Sequence, residues 1–330
     1  MLLTNVSRFN IPDLQGRIIL VFGKDGQLGI SLQKLFQHLK ISAIFLGREQ
    51  CDLSQEESIL QNLKEYQPQI ILNAAAYTQV DLAEQEPDLS QKINSQVPRI
   101  LAEYIAPIPR GVLVHVSTDY VFDGLKTSPY LEIDETRPMS QYGISKRDGE
   151  LGILEAFHRL NNRSQEEAAK FFILRTSWVY GQGNNFIRTM LKLATQKELL
   201  KVVNDQYGCP TSSDWLARVA LQLAVSDAES GLYHSVVDGQ TTWHGLASFA
   251  IETARNAGMP VQVKSDYILP IPSEDYPLPA PRPKNSVMDN AKLKITFKKI
   301  GIHSLEYRWQ EQVQQYVLEY VQNYQNNNLE

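Results

Sequence analysis

The chain has 330 residues, 43% of them hydrophobic and 21% charged, a length and balance that suggest a globular protein of about two domains with a real core. Its net charge of −5 and scattered lysines and arginines argue against nucleic acid, whose phosphate backbone is held by basic surface. Two cysteines, Cys51 and Cys209, are too few for a disulfide framework and suit a reducing cytoplasm. No apolar run approaches the ~18 residues that a membrane span needs.

Residues 1–16 lack a sustained apolar centre and read as a short extension, not a signal peptide. Arg17-Ile18-Ile19-Leu20-Val21-Phe22 is a continuous apolar run ending at Gly23, which predicts a strand buried on both faces. Apolar residues at helical spacing predict a helix over 27–39. A second strand follows over 41–46, a helix over 59–66 and a third strand over 70–72. A helix over 99–105 precedes a fourth strand over 111–116. Residues 161–170 read as a polar exposed insert before a fifth strand over 171–174. Strands alternating with helices predict an α/β fold, a doubly wound parallel sheet of Rossmann type. Past Gly181 buried strand runs become rare, and prolines crowd residues 270–283. A smaller, mostly irregular and helical substrate domain is expected over 181–330, with segments returning to the domain over 17–180. The Pro-rich stretch is expected to wrap a pocket, and the tail over 323–328 to fray.

Gly23-Lys24-Asp25-Gly26-Gln27-Leu28-Gly29 stands between the first strand and the first helix, the context that a dinucleotide-binding turn requires. Glycines there let the backbone approach a pyrophosphate, whose charge meets the helix N-terminus. At the end of the second strand, Gly47-Arg48 offers an arginine where a carboxylate would read a ribose 2′-hydroxyl. That favours NADPH. Asp52 and Leu53 stand near the expected adenine edge. Ala74, Ala75 and Ala76 close the third strand with side chains small enough to admit a flat cofactor. Asn94 is a candidate brace, and His115 reads as a core residue.

Tyr142 and Lys146, four apart, share one face of a helix. One ammonium at about 4 Å, in an effective dielectric near 20, stabilises a phenolate by roughly 4 kcal/mol. That would carry a tyrosine pKa from ~10 toward neutrality. Thr118, in Ser117-Thr118-Asp119, could add a hydroxyl at the reacting oxygen. The six histidines show no metal-ligand spacing, and no Gly-x-Ser-x-Gly elbow occurs.

These phrases resemble the sugar-nucleotide branch of the extended short-chain dehydrogenase/reductase family. With them go Asn73-Ala74-Ala75-Ala76-Tyr77-Thr78-Gln79-Val80-Asp81, Arg175-Thr176-Ser177-Trp178-Val179-Tyr180-Gly181, Asn204-Asp205-Gln206-Tyr207-Gly208-Cys209-Pro210-Thr211 and Thr241-Thr242-Trp243-His244. The likeness runs from about Arg17 to about Leu293. It implies NADPH-dependent reduction of a 4-keto, 6-deoxy sugar on thymidine diphosphate to dTDP-L-rhamnose, with room for NADH. Hydride would go to C4 of the sugar and the proton would come from Tyr142, with Lys146 stabilising the phenolate and holding the nicotinamide ribose. Thr118 and Asp119 would bind at the sugar, and Trp178 would stack on it. Gly23, Gly26, Gln27, Leu28, Gly29, Arg48, Asp52, Leu53, Ala74, Ala75 and Ala76 would line the cofactor. Arg282, in Ala280-Pro281-Arg282-Pro283, would reach the substrate diphosphate, since a planar guanidinium suits phosphate oxygens. Some relatives bridge a dimer through Mg²⁺ held by glutamates, one of them shortly after the glycine turn. Ser31 stands at that point here, so no metal is assigned, and monomer and homodimer both stay open. Two alternatives remain: a related sugar-nucleotide reductase or epimerase, and a non-catalytic NADP-binding regulator similar to the regulatory subunit of methionine adenosyltransferase.

Overall fold

A computed structural model describes residues 14, 16–160, 164, 167–302 and 307–327. The chain opens with β1 (Ile19–Phe22), α1 (Gln27–Leu39), β2 (Ile44–Leu46), α2 (Glu56–Tyr66) and β3 (Ile70–Asn73). α1 has the limits that its apolar spacing predicts. β2 is shorter than expected. α2 begins three residues earlier than expected, where Glu56 and Glu57 supply the negative charge that a helix N-terminus favours. Two short helices, α3 (Val80–Ala83) and α4 (Pro87–Gln91), lead through a π-helical turn at Lys92–Gln96 into α5 (Val97–Ile105). β4 (Val112–Thr118), α6 (Gln141–Leu160) and β5 (Lys170–Thr176) complete the first half. Most of residues 1–16, and residues 161–163 and 165–166 of the expected insert, lie outside the described residues.

The second half contributes β6 (Val179–Tyr180), α7 (Phe186–Ala194), β7 (Leu200–Val203), β8 (Tyr207–Gly208), β9 (Thr211–Ser212) and α8 (Ser213–Ala224). After these come β10 (Gly231–His234), β11 (Thr241–Thr242), α9 (Trp243–Asn256), β12 (Ile268–Ile271), α10 (Ala291–Lys299) and α11 (Trp309–Asn327). The tail expected to fray is helical through Asn327; residue 328 lies outside the described residues.

Six strands form one sheet in the order β10-β5-β4-β3-β1-β2, every pairing parallel. Alternate residues feed opposite layers, as a period of two demands. Ile19, Val21, Ile70, Leu72, Val112 and Val114 pack on the side of α1 and α8. Leu20, Phe22, Ile71 and Leu113 pack with α2, α5 and α6. The doubly wound α/β architecture is therefore present, and its sixth strand, β10, comes from the second half.

Three two-stranded ribbons, β6 with β9, β7 with β12 and β8 with β11, form outside this sheet. β12 contains Pro270, within the stretch read as irregular. A ribbon strand tolerates a residue with no N–H, because one of its edges is unpaired.

Candidate active site

The glycine turn is built by close approach. Gly23 has φ +85°, and a Cβ there would stand 2.7 Å from the Ala75 backbone nitrogen. A Cβ on Gly29 would stand 2.1 Å from the Gly23 carbonyl. Only glycine lets β1, α1 and the loop after β3 meet in this way. Gly26 caps α1 with no side-chain hydrogen bond and no acidic residue follows in the first turn. The first N–H groups of α1 therefore face the cleft as an anion-binding end.

Above this turn lies a cleft of about 1100 Å³, at the upper end of small-molecule sites and large enough for two ligands side by side. Gly23, Gly26, Gln27, Leu28, Arg48, Asp52, Leu53, Ala74, Ala75 and Ala76 line it, and so do Thr118, Asp119, Tyr142, Lys146 and Trp178. Gly29 and Arg282 are outside that lining. Buried polar atoms in the walls, Gln27 Oε1 and Thr176 Oγ1, have no partner within the protein, which fits a wall built to meet polar ligand groups. The open helix end and these unpaired atoms suit a dinucleotide. Arg48 is exposed at the rim. Asp52 is held by the Ser54 N–H and hydroxyl, which keep its carboxyl below the usual range.

Thr118 ends β4 and is buried, and its hydroxyl donates to Asp119 Oδ1 at 3.0 Å and engages the Tyr142 phenol. Tyr142 lies in the first turn of α6, edge-on to Tyr120 with ring centroids 5.9 Å apart. Lys146 is 1% exposed. Its Nζ donates to the Val116 carbonyl at 2.6 Å and lies 3.4 Å from His115 Nε2. The expected fall in the Tyr142 pKa is corrected: burial pushes the phenol up to about 12, Thr118 moderates the rise and Asp119 adds to it. Burial likewise lowers Lys146 to about 8, against the pull of Glu150. Desolvation outweighs the single-ammonium effect expected from spacing. Asp119, fully enclosed, rises to about 6 for the same reason.

Asn94, in the π-helical turn, is fully buried. It accepts from the Tyr77 N–H at 2.8 Å and donates to the Tyr77 carbonyl at 3.0 Å and to Ser145 Oγ at 3.0 Å. It thus braces the loop after β3 against α6. Trp178 sits at φ +46°, a conformation that bulky residues rarely adopt. One face of its indole stacks on Trp243, centroids 3.6 Å apart, so that face is already covered. Arg282 pairs bidentately with Asp81, both contacts 2.7 Å, and also donates to the Ala280 carbonyl. Ser31 hydrogen-bonds to Ser213 and Asp214. Among the described residues no group of three or more His, Cys, Asp or Glu is placed to hold a metal ion, and no helix is long and apolar enough to cross a membrane.

A family profile described as the RmlD substrate binding domain matches residues 17–322. A dTDP-4-dehydrorhamnose reductase of Shigella flexneri is 40% identical over 287 residues, 84% of this chain and 91% of the relative. The chain belongs to the dTDP-4-dehydrorhamnose reductase family. Another relative of that name, from Burkholderia thailandensis, is 37% identical over 88% of this chain and 95% of its own. Among solved structures, a dTDP-4-dehydrorhamnose reductase of Bacillus anthracis in complex with NADP superposes with a TM-score of 0.78 at 31% identity. That match covers 92% of this chain and 99% of the other. A UDP-glucose 4-epimerase of Thermotoga maritima, 19% identical with a TM-score of 0.72, shares the fold.

Within this reductase family site, sequence reasoning missed Trp243, Tyr120 and Ser177 as cleft residues. Thr242 is an N-cap whose hydroxyl accepts from the Gly245 N–H, which marks Trp243 as the first residue of a helix but not as a cleft residue. Nothing local marked Tyr120, which the short turn after β4 carries into place.

Proposed function

We propose that the protein reduces dTDP-4-dehydro-β-L-rhamnose to dTDP-L-rhamnose with NADPH. The observation that carries this reading is the meeting of Thr118, Tyr142 and Lys146 on the cleft that the glycine turn opens. When bound, the reduced nicotinamide supplies the hydride. Tyr142 gives the proton to the C4 oxygen. A phenol pushed up to about 12 stays in its acid form at neutral pH, the form that a reduction needs. Thr118 fixes the oxygen beside the phenol, and Lys146 bears the positive charge that offsets the phenolate left behind. Asp119 and Trp178, both on the cleft wall, face the sugar. Arg48 meets the 2′-phosphate, and α1's first N–H groups meet the pyrophosphate.

The test is incubation of the purified protein with NADPH and the dTDP-linked 4-keto sugar, following loss of reduced cofactor and identifying the sugar formed. Tyr142→Phe deletes one hydroxyl and keeps the ring. It should lower turnover by ~10²–10⁴-fold while leaving the NADPH dissociation constant unchanged. A variant retaining more than half of the wild-type rate would remove Tyr142 from the proton transfer. An active wild type that gives an epimer in place of the reduced sugar would favour the epimerase reading.

A further inference from the structure

Asn73, His115 and Lys146 form a buried chain beneath the cleft that leads from the Ala75 backbone to the lysine nitrogen. Asn73 Oδ1 accepts the Ala75 N–H at 3.2 Å, and a backbone N–H can only donate. That contact fixes the amide, so Nδ2 is the atom facing His115 Nδ1 at 3.0 Å. An amide NH₂ can only donate, so Nδ1 accepts. His115 is 1% exposed, and burial together with the nearby Lys146 charge holds its pKa well below the usual histidine range. A neutral imidazole with Nδ1 as acceptor carries its single proton on Nε2. Nε2 lies 3.4 Å from Lys146 Nζ. An ammonium cannot accept that N–H, whereas a neutral amine can. The other contact of Nζ, to the Val116 carbonyl, serves either form.

We propose that His115 is a positioning residue for Lys146, locked by Asn73 as the Nε2–H tautomer so that its N–H faces Nζ and favours the neutral amine over the ammonium. The same amide is anchored on Ala75, in the cofactor-lining loop, so the geometry of that loop is read by the lysine. The other ionisable groups around Nζ are few. Glu150, one turn further along α6, favours the ammonium, but two contacts from Arg175 of β5, 2.9 and 2.7 Å, already engage it. Tyr142 lies one turn earlier on α6, and Asp119 lies beyond Thr118 at the end of β4. None of these supplies a donor to Nζ. The histidine does.

The kinetic consequence rests on the role given to Lys146 above; the tautomer does not. Nitrogen-15 spectra of histidine-labelled protein, with His115 assigned by its loss in His115→Gln, should show the Nε2–H tautomer at neutral pH. An Nδ1–H tautomer or an imidazolium would overturn the proposal. Asn73→Asp replaces the donor with a carboxylate, which should flip His115 to Nδ1–H and present a lone pair to Nζ. In that variant the carbon-13 titration of the Lys146 Cε should move up by about one pH unit, a tenfold change in proton affinity. The basic limb of kcat/KM should move by the same amount. His115→Gln, which can turn its carbonyl to Nζ, should move both in the same direction. Unmoved lysine titration in a folded Asn73→Asp or His115→Gln protein would sink the idea. If the wild type shows no reductase activity, the proposed function fails while the two spectra still decide the role of His115.

Discussion

At Arg48 one side chain is asked to decide between two cofactors. It is exposed at the rim of the cleft after β2, with no carboxylate at its own position to bind a ribose 2′-hydroxyl. A charged hydrogen bond to a 2′-phosphate contributes roughly 1.5–3 kcal/mol, about ten- to a hundredfold in affinity. Arg48→Ala should therefore weaken NADPH by about that factor and leave NADH within twofold, by titration calorimetry with each cofactor. Equal NADPH affinity in the two proteins would take Arg48 out of the site. The spacing of Tyr142 and Lys146 was readable because a helix turns one residue pair onto one face whatever surrounds it. Their ionisation was not. It depends on how many protein atoms crowd the phenol and the amine, and no local pattern carries that. Trp178 was named from the sequence, but its left-handed backbone and its stack on Trp243 were not legible, because the stack joins segments 65 positions apart.

Elements were legible where the apolar period ran unbroken, as in α1 and β1, and illegible where partners lay far along the chain. β10 is four residues long, and only its pairing with β5 makes it a strand. The contact between Arg282 and Asp81 spans 201 positions. It ties the Pro-rich segment before α10 to α3, with the Ala280 N–H also on Asp81 at 3.1 Å, and the guanidinium neighbours Tyr120. The arginine assigned to the substrate diphosphate thus has a carboxylate partner inside the protein. Two roles separate by substitution. If the pair clamps the segment, Asp81→Ala and Arg282→Ala should each raise the sugar-nucleotide KM several-fold, with NADPH affinity unchanged. The double variant should then do no worse than either single one. If Arg282 binds phosphate directly, Arg282→Ala should raise KM while Asp81→Ala lowers it by freeing the cation. The bidentate geometry favours the first result. Steady-state kinetics on the three variants checks it.

Over the whole molecule, stability depends on pH through groups that the fold has stripped of water. His234 is buried against Arg175 and lowered to about 3, chiefly by burial, and His115 is held well below the usual histidine range. In the unfolded chain both bind a proton below about pH 6.5, whereas in the folded chain both stay neutral. The unfolded state then binds more protons, so stability falls as pH drops through that value. Asp119 works the other way. Raised to about 6 from an ordinary value near 3.8, it favours the folded state as pH falls between those two values. Two histidines against one aspartate leave a net loss on acidification. Below about pH 4 the depressed carboxyls of Asp81 and Asp134 add to it. Urea unfolding at pH 7.5 and at pH 5 should show the lower stability at pH 5. Each uncompensated proton contributes a slope of about 1.4 kcal/mol per pH unit. His234→Asn removes one of the two histidines and should flatten that slope by close to one proton, whatever it does to stability at pH 7.5. A slope equal to that of the wild type would mean that His234 takes up its proton in the folded state after all.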